Sequence, residues 1–212
     1  MKKLLILLSM AAVLAGCGKG NKENPKASYL PGFWVCTERL HGAAVDKDPL
    51  AFEFKSYKEA HRNSNGYTSI YDWGFQGEQL VFSGMAVNPA IELLQLDSKH
   101  MKWNWTLNGE TWTETFANVT AFLLDGKWKA RYMNADTVYD VVFTSNVNST
   151  WQNGSKIESI QWFMEINDNG HILLYFQDNG IIGDRFLLNQ VVSDNELDWM
   201  RTHDSVHLKM TK

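Results

Sequence analysis

The chain is poor in cysteine: its 212 residues contain two, Cys17 and Cys36, too few for the disulfide framework of a small secreted scaffold. After the first twenty residues no apolar run approaches the ~20 needed to cross a bilayer as a helix. Basic charge is short as well, with 20 Lys and Arg against 24 Asp and Glu, a net charge of -4. No basic patch or long Lys/Arg run offsets this, so nucleic acid is not an expected partner. The short motifs of catalysis are missing: there is no Gly-x-Ser-x-Gly, P-loop, His-Glu-x-x-His or Gly-x-Gly-x-x-Gly. Asp168, Asp178 and Asp194 sit beside turn residues and read as solvating carboxylates rather than a catalytic pair. Metal ligation is not expected either. His203 and His207 straddle a turn, which removes the meaning of their spacing. The stretch Glu165 to Gly170 imitates the start of a calcium loop, but the twelfth position is Phe176 where a bidentate Glu is required. The expectation is a non-catalytic protein without metal or cofactor.

The N-terminus carries the clearest signal. Lys2 and Lys3 precede an apolar stretch from Leu4 to Val13, and small residues follow, the plan of a secretory signal. Leu14-Ala15-Gly16-Cys17 resembles the lipobox of bacterial lipoproteins. That resemblance implies removal of residues 1–16, acylation of Cys17 and a membrane anchor without a span, since several acyl chains hold durably where one does not. Gly18 stands where an Asp would imply inner-membrane retention in enterobacterial lipoproteins, so the expected place is the outer membrane, facing the periplasm or cell surface. Residues 17–28 are polar and read as a lipidated tether. With Cys17 lipidated, Cys36 has no disulfide partner and reads as a small strand residue; a catalytic thiol would need a neighbouring base.

From Leu30 onward the pattern has period two. Met101-Lys102-Trp103-Asn104-Trp105-Thr106 and Val206-His207-Leu208-Lys209-Met210 alternate apolar and polar, as half-buried strands do. Turn pairs recur at Asn65-Gly66, Asn108-Gly109, Asp125-Gly126, Asn153-Gly154, Asn169-Gly170 and Asn179-Gly180, arguing for a sandwich or barrel of short strands. Only Tyr57 to Arg62 suggests a helical turn or two.

The chain also repeats itself. Leu30-Pro31-Gly32-Phe33-Trp34 returns as Leu124-Asp125-Gly126-Lys127-Trp128, Asp72 to Gly77 as Asp178 to Gly183, and Met101-Lys102-Trp103 as Leu197-Asp198-Trp199. A two-residue turn at Asn108-Gly109 pairs Trp105 with Trp112, Trp103 with Glu114 and Met101 with Phe116. A turn at His203-Asp204 pairs Arg201 with Val206, Trp199 with Leu208 and Leu197 with Met210. The expected fold is all-β: two tandem small antiparallel β-barrel or sandwich-like domains of meander topology, at residues 29–119 and 121–212, joined near Asn118 to Ala121.

Gly-x-Trp at the start of a first barrel strand marks lipocalins, and it stands here twice, as Gly32-Phe33-Trp34 and Gly126-Lys127-Trp128. With the paired endings Leu94-Gln95-Leu96 then Met101-Lys102-Trp103, and Val191-Val192-Ser193 then Leu197-Asp198-Trp199, the chain resembles the tandem lipocalin-like (calycin-type) domains of Bacteroidetes lipoproteins. The resemblance implies binding of a small apolar or amphipathic ligand. The rival reading is a surface scaffold that binds glycan or protein through exposed aromatics. An eight-stranded barrel either fills with its own side chains or holds one small ligand, and short strands favour the filled form.

Of the nine Trp, Trp34 and Trp128, and Trp103 and Trp199, recur and read as scaffold. Trp73, Trp105, Trp112, Trp151 and Trp162 have no repeat in sequence and are the better ligand candidates. Glu114 shares the face of Trp103, Trp105 and Trp112. A carboxylate there is costly if dry and unpaired, so the face is open to water, or Glu114 is paired, or it reads a ligand. Arg201 takes the place of Trp105 in the second copy and is the matching oddity. Trp105, Trp112, Glu114 and Arg201 are therefore the candidate ligand-binding residues, and where the first three point discriminates pocket from surface.

Overall fold

The computed structural model describes residues 24–178 and 180–212. The signal, Cys17 and the tether up to residue 23 lie outside the described residues, as does Asn179. The folded part begins earlier than expected. A 3-10 turn at Pro25–Tyr29 is capped by Asn24, whose Nδ2 donates to the Gly77 carbonyl at 2.6 Å. Lys26 pairs with Glu78 at 2.8 Å, and Leu30 is fully buried, so residues 24–28 dock on the fold.

The first half forms strands β1 (Gly32–His41), β2 (Ala44–Val45), β3 (Leu50–Phe54), β4 (Glu59–Ser64), β5 (Tyr67–Gln76), β6 (Gln79–Ser83), β7 (Ala90–Leu96), β8 (His100–Leu107) and β9 (Glu110–Asn118). The second forms β10 (Lys127–Tyr132), β11 (Val138–Phe143), β12 (Asn148–Asn153), β13 (Lys156–Ile166), β14 (Ile172–Asp178), β15 (Ile181–Ser193), β16 (Glu196–Arg201) and β17 (His207–Thr211). Strands β10 to β17 close into a barrel in chain order. The first sheet runs β6-β5-β4-β3-β1-β9-β8-β7, with the short β2 on β1. It has the same cyclic order but lacks a ladder between β6 and β7. Pro89 directly precedes β7 and has no N–H to offer a neighbour.

Both terminal hairpins have the expected register. Trp105 faces Trp112, Trp103 faces Glu114 and Met101 faces Phe116. Leu197 faces Met210 and Trp199 faces Leu208, while Arg201 N donates to the Val206 carbonyl at 2.8 Å. One expectation fails. Residues 57–62 are no helix: a turn leads into β4. The helix lies instead at Val119–Leu124, with the Asn118 side chain accepting from Ala121 N. Val119, Phe122 and Leu123 face inward at i, i+3 and i+4 and are fully buried. Six residues carry too little periodicity to stand out in sequence.

The repeat is real, but one match used to find it is misaligned. Asp72 lies in β5, whereas Asp178 ends β14, and β14 is the counterpart of β6. Counting from the turns gives the true alignment. Ser64 faces Tyr67 across Asn65-Gly66, and Asn153 faces Lys156 across Gly154-Ser155. This places Tyr71 at Ile160 and Trp73 at Trp162. The hydrogen bonds agree: Trp73 Nε1 donates to Lys55 O at 3.3 Å, and Trp162 Nε1 to Thr144 O at 3.2 Å. Their backbone N–H groups donate to Lys58 O and Val147 O, both residues at positive φ. Trp73 and Trp162 are thus a repeated pair that only pairing register reveals.

The helix, Ala51 and Ala117 belong to the same apolar cluster as the interior of the second barrel, so the barrels pack against each other. The imitation calcium loop lies at this contact. Asp168 O accepts from Gly66 N at 2.9 Å, Asn167 O accepts from Asn63 Nδ2 at 3.2 Å, and Gly170 sits so close that a Cβ would fall 2.6 Å from Asn63 O. The loop is a hairpin turn that docks one barrel on the other.

Candidate ligand cavity of the second barrel

The two barrels fill their interiors differently. In the first, Tyr71, Phe82 and Trp105 form a closed trio of rings with centroids 5.4, 5.8 and 5.6 Å apart, and Phe52 packs on Trp105 at 5.8 Å. In the second, Trp162 faces Phe176 as Trp73 faces Phe82, and Trp128 faces Val141 as Trp34 faces Phe52. The counterparts of Tyr71, Phe82, Trp105 and Phe52 are therefore Ile160, Phe176, Arg201 and Val141. Two rings become aliphatic, and a third becomes an arginine that can reach for water.

Arg201 does so. Its Nη1 donates to Asp184 Oδ2 at 3.0 Å, and its Nε and Nη2 donate to Asp204 at 2.9 and 2.6 Å. Its guanidinium lies 5.5 Å from the centroid of the Tyr132 ring. A cavity of about 400 Å3 opens beside Ile160, the counterpart of Tyr71. Tyr132, Tyr139, Trp151 and Phe176 supply aromatic walls, Ile160 and Ile181 aliphatic ones, and Glu158, Asp178 and Asp184 carboxylates. Every wall residue comes from the same end of the barrel: the end of β10, the start of β11, the end of β12, and so on around the sheet. The expectation of a filled barrel holds for the first copy and fails for the second, because the filling is decided by ring-for-aliphatic exchanges and not by strand length.

The sequence-derived candidates divide between the barrels. Trp105 is buried in the first, and Trp112 is half-buried, stacked on His41 at 5.1 Å. Glu114 is fully buried and paired. Arg39 Nε donates to it at 3.0 Å, Trp103 Nε1 at 2.8 Å, and Arg62 Nη2 lies 3.8 Å away. Arg39 also holds Asp46 at 2.8 Å, and Arg62 lies 5.1 Å over the Trp105 ring. Burial pushes the Glu114 carboxyl up, and the two guanidiniums and the indole N–H pull it back. Of the three readings of Glu114, the geometry selects the paired one. The second barrel replaces this cluster: Leu208 stands at Glu114, Tyr132 at Arg39 and Trp151 at Arg62. One consequence is that Trp199 Nε1, the counterpart of the indole bound to Glu114, is buried without a partner among the described residues.

None of the four candidates lines the cavity; Arg201 comes nearest, through its ion pair with the wall residue Asp184. Trp151, an indole without a repeat, is in the wall; Tyr132, Tyr139 and Phe176 carry no sequence signal, because nothing local sets them apart from core aromatics. Cys36 makes a poor nucleophile: burial, then the Glu114 charge, pushes its thiol up to about 12. His207 pairs with Asp198 at 2.9 Å, and among the described residues no group of three or more His, Cys, Asp or Glu is placed to hold a metal ion. Nor is any helix among them long and apolar enough to cross a membrane.

What the arrangement can do is enclose the apolar part of a small molecule and present carboxylates to the rest. No protein-family profile matches the chain, and neither a curated protein nor a solved structure is found to match it.

Proposed function

We propose that this is a lipid-anchored, non-catalytic binding protein whose second barrel takes up a small organic molecule with an apolar body. The carrying observation is the cavity of about 400 Å3 at the mouth of a closed barrel, walled by Tyr132, Tyr139, Trp151 and Phe176. Ligand pockets of ~300–1,000 Å3 with mainly apolar walls and a few polar groups are the usual form of small-molecule sites. The first barrel serves as a filled support. It holds the second through the helix, the Asn167-Asp168 carbonyls and Asp125, which accepts from both Lys99 and Lys212. Trp73, Trp103, Trp105, Trp128, Trp151, Trp162, Trp34 and Trp199 are all buried and Trp112 is half-buried. A surface module binding glycan or protein through exposed aromatics would therefore have to use tyrosines such as Tyr29, Tyr57 and Tyr67 and not indoles.

The test is a titration of the chain from Gly18 onward with N-phenyl-1-naphthylamine, a neutral dye that brightens in apolar sites. Saturable brightening, with quenching of Trp fluorescence, is expected. Non-saturable binding to protein whose fold is confirmed by circular dichroism would sink the pocket reading. The anchor is tested separately, by the mass of the N-terminal peptide from membranes of expressing cells: an unacylated Cys17 would remove it.

A further inference from the structure

The walls of the cavity are uneven in charge. Among the described residues lining it, three are carboxylates, Glu158, Asp178 and Asp184, and none is Lys, Arg or His. Asp184 is answered by Arg201, but that guanidinium is also committed to Asp204. Glu158 is answered by Lys156 at 2.5 Å, a side chain 77% exposed. Such a surface pair contributes little and is readily exchanged for another cation. Asp178 has no ion-pair partner among the described residues. The negative field reaches the walls: the Tyr132 phenol is pushed up to about 12, by burial first and by Asp184 next.

We propose that the ligand of this cavity is an organic cation, an amine or quaternary ammonium carried on an apolar body. Four aromatic rings border one space, and beside Tyr132, which already carries Arg201, stand Tyr139, Trp151 and Phe176, ring types whose faces attract a cation electrostatically. The carboxylates supply the countercharge that a buried cation needs. Ile160 and Ile181 add aliphatic wall between the rings, which suits the remainder of such a molecule. An anionic amphiphile of the same shape would bring its headgroup against Asp178 and Glu158, and like charges at close quarters reject it. The rim thus selects against fatty-acid-like ligands while the interior admits their chains.

The proposal rests on the second barrel being the binding site, and the experiment separates the two. Decyltrimethylammonium and decanoate, matched in chain length, are titrated by calorimetry into the chain from Gly18 onward at neutral pH. Each is also used to displace N-phenyl-1-naphthylamine. The cation is expected to bind at least about tenfold more tightly than the anion, and to weaken as salt is added. Asp178→Asn with Glu158→Gln, both at exposed positions, should remove most of that preference, weakening the cation far more than the neutral dye, which has no charge for the carboxylates to answer. Equal or tighter binding of decanoate, or a preference that survives the double substitution, overturns the assignment of charge but leaves the pocket standing. If neither amphiphile nor the dye binds folded protein, the pocket itself falls.

Discussion

Tyr71 and Ile160 occupy the same position in the two barrels, four residues after the first residue of corresponding strands. Tyr71 closes a trio of rings; Ile160 lines a cavity. This is one of the three ring exchanges that separate the filled barrel from the one with a cavity, and it can be made in either direction. Ile160→Tyr should fill the second barrel, lowering dye affinity at least about tenfold without lowering the melting temperature, because the new ring enters existing space. Tyr71→Ile should destabilise the first barrel by about 2–4 kcal/mol, measured by denaturant unfolding.

Glu114 was open to three readings, and its partners decide the outcome of removing it. Glu114→Leu leaves Arg39, 11% exposed, and Arg62, 16% exposed, without their shared carboxylate. Breaking a buried pair from one side costs about 3–5 kcal/mol, so a clearly lower melting temperature is expected. Combining it with Arg39→Tyr and Arg62→Trp copies the second barrel and should recover part of the loss. Unchanged stability in the single variant would mean that the pair is not formed.

Trp103 and Trp199 are equivalent indoles with opposite fates, one bound to Glu114 at 2.8 Å and one without a partner among the described residues. Both Trp→Phe substitutions remove the same atoms. Trp103→Phe also takes a donor from a buried carboxylate, which costs about 1–3 kcal/mol; Trp199→Phe relieves an unsatisfied N–H instead. Trp103→Phe should thus be the more damaging by about that margin in paired urea titrations.

Asp125 ties the barrels together through Lys99 at 2.5 Å and Lys212 at 2.8 Å. The hydrogen bonds from Lys212 and Lys99 hold its carboxyl down to about 2. An acid depressed in the folded state contributes fully above its ordinary value of 3.8 and loses that contribution as pH falls through about 2. Acidification across this window should weaken the wild type more than Asp125→Asn, followed as thermal melting against pH. Parallel curves would show that the clamp carries no stability.

Much of the fold was legible because it is written locally. Alternation over five or six residues marks a strand, Asn-Gly marks a turn, and turn plus alternation fixes register. That is why the Trp105-Trp112 and Leu197-Met210 pairs could be named from the sequence and are seen in the sheets. The helix at Val119–Leu124 was too short for a period, and Asp72 was matched to the wrong strand because similar letters at similar distance need not share a register. Trp73 and Trp162 could be recognised as equivalents only once β4-β5 and β12-β13 were paired.

Sequence by itself determined the class of structure, its duplication and the residues that face inward, since each follows from the two-residue period of a pleated strand and the turns between strands. Tertiary structure alone decided which barrel is full. That question compares the volumes of Tyr71, Phe82 and Trp105 with those of Ile160, Phe176 and Arg201, side chains brought together from three separate strands in each barrel. It also decided that Glu114 is paired and that Trp199 is not, because a buried charge is settled by partners across the sheet, at Arg39 and Arg62, whose approach no local pattern records.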